Sequence, residues 1–328
     1  MQRHSSLDDA ADLAAVAALL QIGAEIGVDR LLDSGDTFSA AELARTADLP
    51  QAGVDDYLAA LVAAGLAVGT EAPDRFQAAE DYPDRRYAAG YLSWAMSANG
   101  PFLVNAREFL ADRDAAARVH RRNGRRVAVS SRWIGERAFY PPIVDRVVSA
   151  GASHVADLGA GAGGLLVRLL GQDPARTGVA LDSSGAACAA AREAAAAAGV
   201  DDRLQVVERT VQSLADDPGP VEGANAVLAC FVMHDIVADA SVAKAVLGAC
   251  RDALAPGGFM AVADAVSYAP DPVERRFSAL FTYLHASFMS VTLPSERHWL
   301  DTFQAAGFSK TECVPLGVPG GRLFVAVR

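Results

Sequence analysis

Cysteine is scarce in this chain. Cys188, Cys230, Cys250 and Cys313 are its four, widely separated and without a C-x-x-C pair. That spacing supports neither a disulfide framework nor a thiolate zinc cage, and it predicts buried, reduced thiols. Positive charge is also short, with 29 Lys and Arg against 40 Asp and Glu, a formal net charge of -11 and a pI near 5.0. Nucleic-acid phosphates need a concentrated positive field, so a small molecule is the expected partner and nucleic acid is not. The stretch from Met1 to Asp9 lacks the apolar run of a signal peptide, and no later stretch is long, apolar and uncharged enough to span a bilayer. A cytoplasmic protein with no membrane partner is the corresponding expectation.

What the chain does have is apolar bulk. With 328 residues, 52% of them hydrophobic and 21% charged, it can bury a large core, and two domains are expected. From Ala10 to about Leu32, the residues Leu13, Val16, Leu19, Leu20, Ile22, Ile26, Val28 and Leu31 cover more of a helix surface than one amphipathic stripe needs. Such a helix needs a partner. Ser39 and Glu42 then have the spacing of a capping box, which predicts a short helix ended by Leu49-Pro50. A second amphipathic helix is predicted from about Ala52 to Gly65, with Val54, Leu58, Leu61 and Val62 on its buried face, followed by a short ribbon. Helix, turn, helix and ribbon make a winged helix. Its recognition segment carries Asp55 and Asp56 and no base, so we expect a dimerisation module rather than a DNA reader. Residues 1–100 are assigned to this mainly α domain, and a homodimer through it is expected.

Residues 101–148 read as a helical linker that contributes to a substrate pocket. Aromatic residues interrupt this helical region, among them Phe102, Phe109, Trp133, Phe139 and Tyr140, and a basic cluster runs from Arg118 to Arg126. Most of these arginines should be solvated. A buried one would suit a carboxylate, which a guanidinium holds with two parallel hydrogen bonds, and Arg118 and Arg132 are the candidates.

Residues 149–328 read as a Rossmann-like, doubly wound α/β domain. A short apolar strand ending in Asp157-Leu158 runs into Gly159-Ala160-Gly161-Ala162-Gly163 and then a helix, the first βα unit of such a sheet. Glycines there let a ligand lie against the backbone. The spacing is G-x-G-x-G rather than the pyrophosphate-binding G-x-G-x-x-G, and Asp157 precedes the loop. Both differences point to S-adenosylmethionine, whose amino-acid and ribose parts would meet the loop. The next strand ends in Asp182, a carboxylate placed to accept from ribose hydroxyls. Further strands are predicted at Leu204–Glu208, Ala226–Val232 and Met260–Ala263. Two extended stretches, about 310–316 and 322–327, should form an antiparallel edge.

With these elements in place, the chain resembles the class I small-molecule methyltransferases of the caffeic acid and polyketide O-methyltransferase type. The residues that carry the resemblance are the winged-helix segment from Ser39 to Val68, the run from Asp157 to Gly161, Asp182-Ser183, His234-Asp235 and Pro256-Gly257-Gly258. It implies that Gly159, Asp182, Ser183, Thr210 and Val211 line the cofactor. Thr210 stands where the family usually has an aspartate, which touches the adenine side. It also implies that His234, at the rim after the fourth strand, is a general base, a task suited to an unperturbed pKa of about 6.5.

His285 lies in an apolar helical stretch over the same rim, where a hydrogen-bonded wall histidine is the plain reading. The set His234, Asp235 and His285 further resembles the metal-dependent C-methyltransferases of 2-oxo acids such as phenylpyruvate. That likeness implies iron or zinc on His234 and His285, with C3 of the 2-oxo acid methylated through a metal-stabilised enolate. In it Asp235 orients a water or acts as base, Asp264 supports His234, and the product belongs to peptide natural-product biosynthesis. Metal-free methylation of a phenolic or polyketide hydroxyl is the alternative. His4, His120, His154 and His298 are taken as structural.

Overall fold

The computed structural model describes residues 6–328, with side chains from Asp9 onward. Met1–Ser5, including His4 and the start of the stretch searched for a leader, lie outside the described residues. The chain divides into two compact units, one running up to Ala106 with Arg118–Gly135, the other Arg107–Ala117 with Glu136–Arg328. The stretch 101–148 expected as a linker is therefore shared between the two.

In the first unit the predicted long helix is two. Helix α1 (Ser6–Glu25) is followed by α2 (Asp29–Asp33). The break is at Gly27, whose φ of 79° closes α1, with the Val28 N–H donating to Gly23 O at 2.9 Å and that of Ile26 to Ile22 O at 3.0 Å. Apolar periodicity ran straight through this turn because Val28 and Leu32 are buried on its far side in the same core as Leu20. Helix α3 (Ala40–Ala47) starts on the expected capping box: Ser39 Oγ accepts from the Glu42 N–H, and the Glu42 carboxylate accepts from the Ser39 N–H. Helix α4 (Gln51–Ala63) buries Val54, Tyr57, Leu58 and Leu61. Val62, expected on that face, is exposed. Tyr57 is buried instead, its hydroxyl donating to Leu19 O at 2.9 Å. Strands β1 (Ala67–Gly69) and β2 (Phe76–Ala78) form an antiparallel ribbon, followed by α5 (Tyr82–Leu92), a π-helical turn (Ser93–Ala98) and α6 (Gly100–Val104).

Helices α7 (Ala106–Ala111), α8 (Arg113–Val119), α9 (Gly124–Ala138) and α10 (Tyr140–Ser149) cross between the units in sequence, as the helical pattern of this region predicts. The second unit then alternates β3 (His154–Leu158), α11 (Gly164–Gln172), β4 (Thr177–Asp182), α12 (Gly185–Ala197), β5 (Leu204–Glu208), β6 (Ala226–Cys230), α13 (His234–Val237), α14 (Ala240–Ala253) and β7 (Phe259–Ala265). It closes with α15 (Arg275–Phe288), α16 (Glu296–Ala305), β8 (Lys310–Pro315) and β9 (Gly321–Val327). Among the described residues the main sheet has seven strands, in the order β5-β4-β3-β6-β7-β9-β8. The first five are parallel, while β9 runs antiparallel to β7 and β8 antiparallel to β9.

This is the doubly wound α/β fold with its antiparallel edge, and its strands show why. All seven residues of β7 are buried, and β3 and β6 are nearly so, since helices cover both faces of a parallel sheet. The chain leaves β3 toward β5 in one direction and resumes from β6 in the other. Strand order therefore reverses between β3 and β6, and it is beyond the carboxyl ends at such a point that doubly wound folds bind ligands. Both the glycine loop and His234 follow directly from those two ends.

Candidate active site

The glycine loop is fastened to β4. The N–H groups of Gly159 and Ala160 donate to Leu181 O at 2.8 and 3.1 Å, and that of Gly161 donates to Asp182 Oδ2 at 2.9 Å. The other Asp182 oxygen accepts from the Ser184 N–H at 2.9 Å. Asp182 thus holds the loop and the start of α12 together, and a carboxylate has lone pairs beyond these two bonds for further donors. Gly159, Gly161 and Gly163 have φ of 68°, 56° and 72°, a backbone region closed to most side chains.

The reason for glycine differs along the loop. A Cβ on Gly161 would meet nothing within 4 Å, so there the backbone conformation decides. A Cβ on Gly159 would sit 2.9 to 3.1 Å from the Val232 side chain, so at this position a protein neighbour fills the space, as well as any ligand. Asp157, at the end of β3, is buried, and its Oδ1 has no hydrogen-bond partner. Burial, and secondarily the charge of Asp182, push its carboxyl up to about 7. Ser183 and Thr210 are exposed near the carboxyl ends of β4 and β5, and Val211 is buried at the start of the following turn. Cys230 lies between Asp157 and Asp264. Desolvation, reinforced by those two charges, raises its thiol well above the ordinary value; all four cysteines are free thiols, Cys188 and Cys250 buried as expected, Cys230 and Cys313 only partly so.

Beyond β6 the chain turns sharply. Phe231 takes a φ of 54°, unusual for a bulky residue, while its N–H still donates to Ala263 O at 2.8 Å. Three residues on, His234 is buried, and its Nδ1 lies 2.6 Å from Asp264 Oδ1. Asp264 is fully buried and also accepts from the backbone N–H groups of Met233 and His234, each at 3.0 Å, and of Ala265 at 2.7 Å. One carboxylate therefore caps α13 and orients the ring it carries. With Nδ1 donating to Asp264, Nε2 is the basic nitrogen, and Asp235 Oδ1 lies 3.6 Å from it on a half-exposed side chain.

His285, on α15, is buried and donates from Nδ1 to Phe281 O at 2.7 Å, because a carbonyl can only accept. Nε2 is then its basic nitrogen too. The two imidazoles stand perpendicular with centroids 5.0 Å apart, and Phe281 stacks on His285 at 4.2 Å. Phe231 joins this wall, 5.0 Å from Phe139 and 6.2 Å from Phe281. The fold thus brings His234, Asp235, Asp264 and His285 into one cluster, as the sequence led us to expect. Phe231, Val232 and Phe281 were missed, since apolar residues beside a motif read as ordinary core.

The arginines fare differently. Arg132 pairs with Asp29 and, at 3.0 Å, with Asp33, inside the helical unit. A substrate carboxylate would have to compete with these two for its guanidinium. Arg118 is exposed in the last turn of α8. His154 bonds Thr177 Oγ1 at 2.9 Å, and His298 is exposed on α16.

Two imidazoles whose Nδ1 atoms are held by a carboxylate and a carbonyl have the outer-shell support typical of metal-binding histidines. Among the described residues, however, no group of three His, Cys, Asp or Glu side chains gathers to hold a metal ion, so protein ligands would supply two positions at most. Among the described residues no helix is long and apolar enough to cross a membrane.

Comparison with known proteins agrees with this geometry. Residues 156–260 match the model of a methyltransferase domain. The chain is 29% identical over 179 residues to 3-hydroxy-5-methyl-1-naphthoate 3-O-methyltransferase from Streptomyces sahachiroi, across 54% of this chain and 49% of that protein. It spans about half the length of that curated relative. Among solved structures, an O-methyltransferase family protein from Burkholderia thailandensis is 23% identical with a TM-score of 0.55, over 99% of this chain and 98% of that one. Human N-acetylserotonin methyltransferase, solved in complex with S-adenosylmethionine, is 17% identical with a TM-score of 0.56, over 100% and 99%. Residues 156–260 thus match a methyltransferase domain, in a chain that shares the fold of these solved structures.

Proposed function

We propose that this protein methylates a hydroxyl of a small, flat organic acceptor, with His234 as the base that takes the hydroxyl proton. The observation that carries the reading is the Asp264–His234 pair: a fully buried carboxylate fixes the tautomer and aim of an imidazole at the crevice rim. S-adenosylmethionine supplies the electrophilic methyl group when bound. Asp157, Gly159, Gly161 and Asp182 would hold its amino-acid and ribose parts, with Ser183, Thr210 and Val211 toward the adenine. Nε2 of His234 accepts the acceptor's proton, and Asp264 stabilises the imidazolium that results. His285, its ring perpendicular to that of His234 with centroids 5.0 Å apart, walls the acceptor's place beside the base, and the faces of Phe231 and Phe281 favour a ring. The naphthoate O-methyltransferase relative supports a hydroxyl acceptor.

A second reading, methylation at C3 of a 2-oxo acid, is favoured by the closeness of His285 to His234. Iron or zinc on these two imidazoles would supply Lewis acidity at the 2-oxo oxygen. Product analysis with hydroxynaphthoates, simple phenols and 2-oxo acids, alongside metal analysis of the purified protein, separates the two. The first reading expects an O-methylated phenol, with rate losses of about a hundredfold or more in His234→Ala and about tenfold in Asp264→Asn. Stoichiometric metal that is lost in His285→Ala, together with a C3-methylated product, would establish the second. A His234→Ala variant with wild-type rates on every methylated acceptor sinks both. The homodimer through the winged-helix-like unit remains part of the proposal, and sedimentation of the purified chain tests it.

A further inference from the structure

Helix α15 carries a run of polar side chains at every fourth position, and each grips a backbone N–H of the loops at the sheet edge. The Glu274 carboxylate, at the N-cap, accepts from the Gly320 N–H at 3.2 Å. Ser278 Oγ accepts from the Ala269 N–H at 2.8 Å, and Thr282 Oγ1 accepts from the Tyr268 N–H at 3.1 Å while donating to Ser278 O at 2.8 Å. Ser278, Thr282 and His285 are all buried, and their spacing places them on one face. Glu274 is anchored in turn by Arg322 of β9, whose Nη1 and Nη2 each lie 3.2 Å from Glu274 Oε2, while its Nε lies 3.2 Å from Glu296 Oε2 of α16.

These bonds are met together in one position of the helix only. A slip of one residue shifts a helix by about 1.5 Å and turns it by about 100°, which would carry all three acceptors off their donors at once. Leu284 and Phe288 are also buried on this helix, but their packing has no directional partner to match atom by atom. We propose that Glu274, Ser278 and Thr282 are positioning residues that set the register of α15 and so hold His285 against His234. The consequence for methyl transfer rests on the reading of His285 given above; the register itself does not.

The test uses the full chain labelled with 15N-histidine, observing the ring nitrogens of His234 and His285 by NMR, with S-adenosylmethionine affinity as a control for the fold. In Ser278→Ala/Thr282→Val, the His285 Nδ1–H should lose its slow solvent exchange and its nitrogens should move toward tautomer-averaged shifts. His234 should keep its tautomer, and the cofactor affinity should stay within about twofold. On the best acceptor of the panel, kcat should fall about tenfold to a hundredfold, the scale of a 1 Å misplacement, with little change in KM for the cofactor. Thr282→Ser, which keeps the hydroxyl, should restore both readouts. Thr282→Val alone serves if the double variant does not fold. Unchanged His285 resonances in a folded variant overturn the inference whatever the activity. Displaced resonances with unchanged kcat uphold the register and instead refute the proposed role of His285 in transfer.

Discussion

Asp157 keeps Oδ1 buried without a partner, with a carboxyl pushed up to about 7 from an ordinary 3.8 by burial and by Asp182. The folded chain therefore binds this proton more tightly than the unfolded chain. The group's contribution to stability is fully present below about 4 and is lost as pH rises through about 7. A ligand ammonium would reverse that loss by favouring the ionised form. Two outcomes follow for the cofactor-free and cofactor-bound protein. Asp157→Asn should melt higher than the parent at pH 8, with the difference shrinking at pH 5, as read by differential scanning fluorimetry. Affinity of the parent for S-adenosylmethionine, read by calorimetry, should rise from pH 6 to pH 8, and the variant should show no such rise. A melting difference independent of pH would refute the assignment. Asp157 and Asp182 were legible from the sequence because an acid at a strand end beside a glycine loop has few structural uses. Asp264 was legible only through family resemblance, for nothing local to it shows that its carboxylate reaches across to β6.

At the level of elements, the parallel strands could be read closely because a strand covered on both faces is a short, wholly apolar run bounded by glycine or acid. The break between α1 and α2 could not, since the apolar period continues past Gly27 and only its φ of 79° reveals the turn. The polar side chains of α15 were silent as well: Ser278 and Thr282 in a helix read as neutral, and no local pattern shows that they turn back onto N–H groups of the preceding loop. The glycine loop falls between these cases. Its presence was plain, but the contact of Gly159 with Val232 was not, because it joins the ends of β3 and β6 across the switch point. Gly159→Ala meets both a left-handed backbone and the Val232 methyls. Denaturant unfolding should show a loss of about 2–4 kcal/mol, and cofactor affinity should fall. The same change at Gly161, where space is open, should cost only the backbone part, about 1–2 kcal/mol.

Taken whole, the molecule has two compact units with their own cores, and the helical unit carries a charge network. Arg132 with Asp29 and Asp33, and Arg86 with Asp33 and Tyr82 nearby, make up that network. Arg132→Ala leaves two half-buried carboxylates short of a partner. It should cost about 1–3 kcal/mol in unfolding while leaving S-adenosylmethionine affinity unchanged. A variant of normal stability that loses acceptor binding would return this arginine to the substrate. The overall acidity, -11 at pH 7, belongs to solubility and partner choice rather than to the fold. The packing of Val232 on Gly159 also bears on how such a chain evolves. The residue two positions before the base and the first glycine of the cofactor loop share one small volume, so they are expected to change together. A selection for activity begun from Gly159→Ala should recover glycine or alanine at position 232 before it recovers changes in the pocket wall.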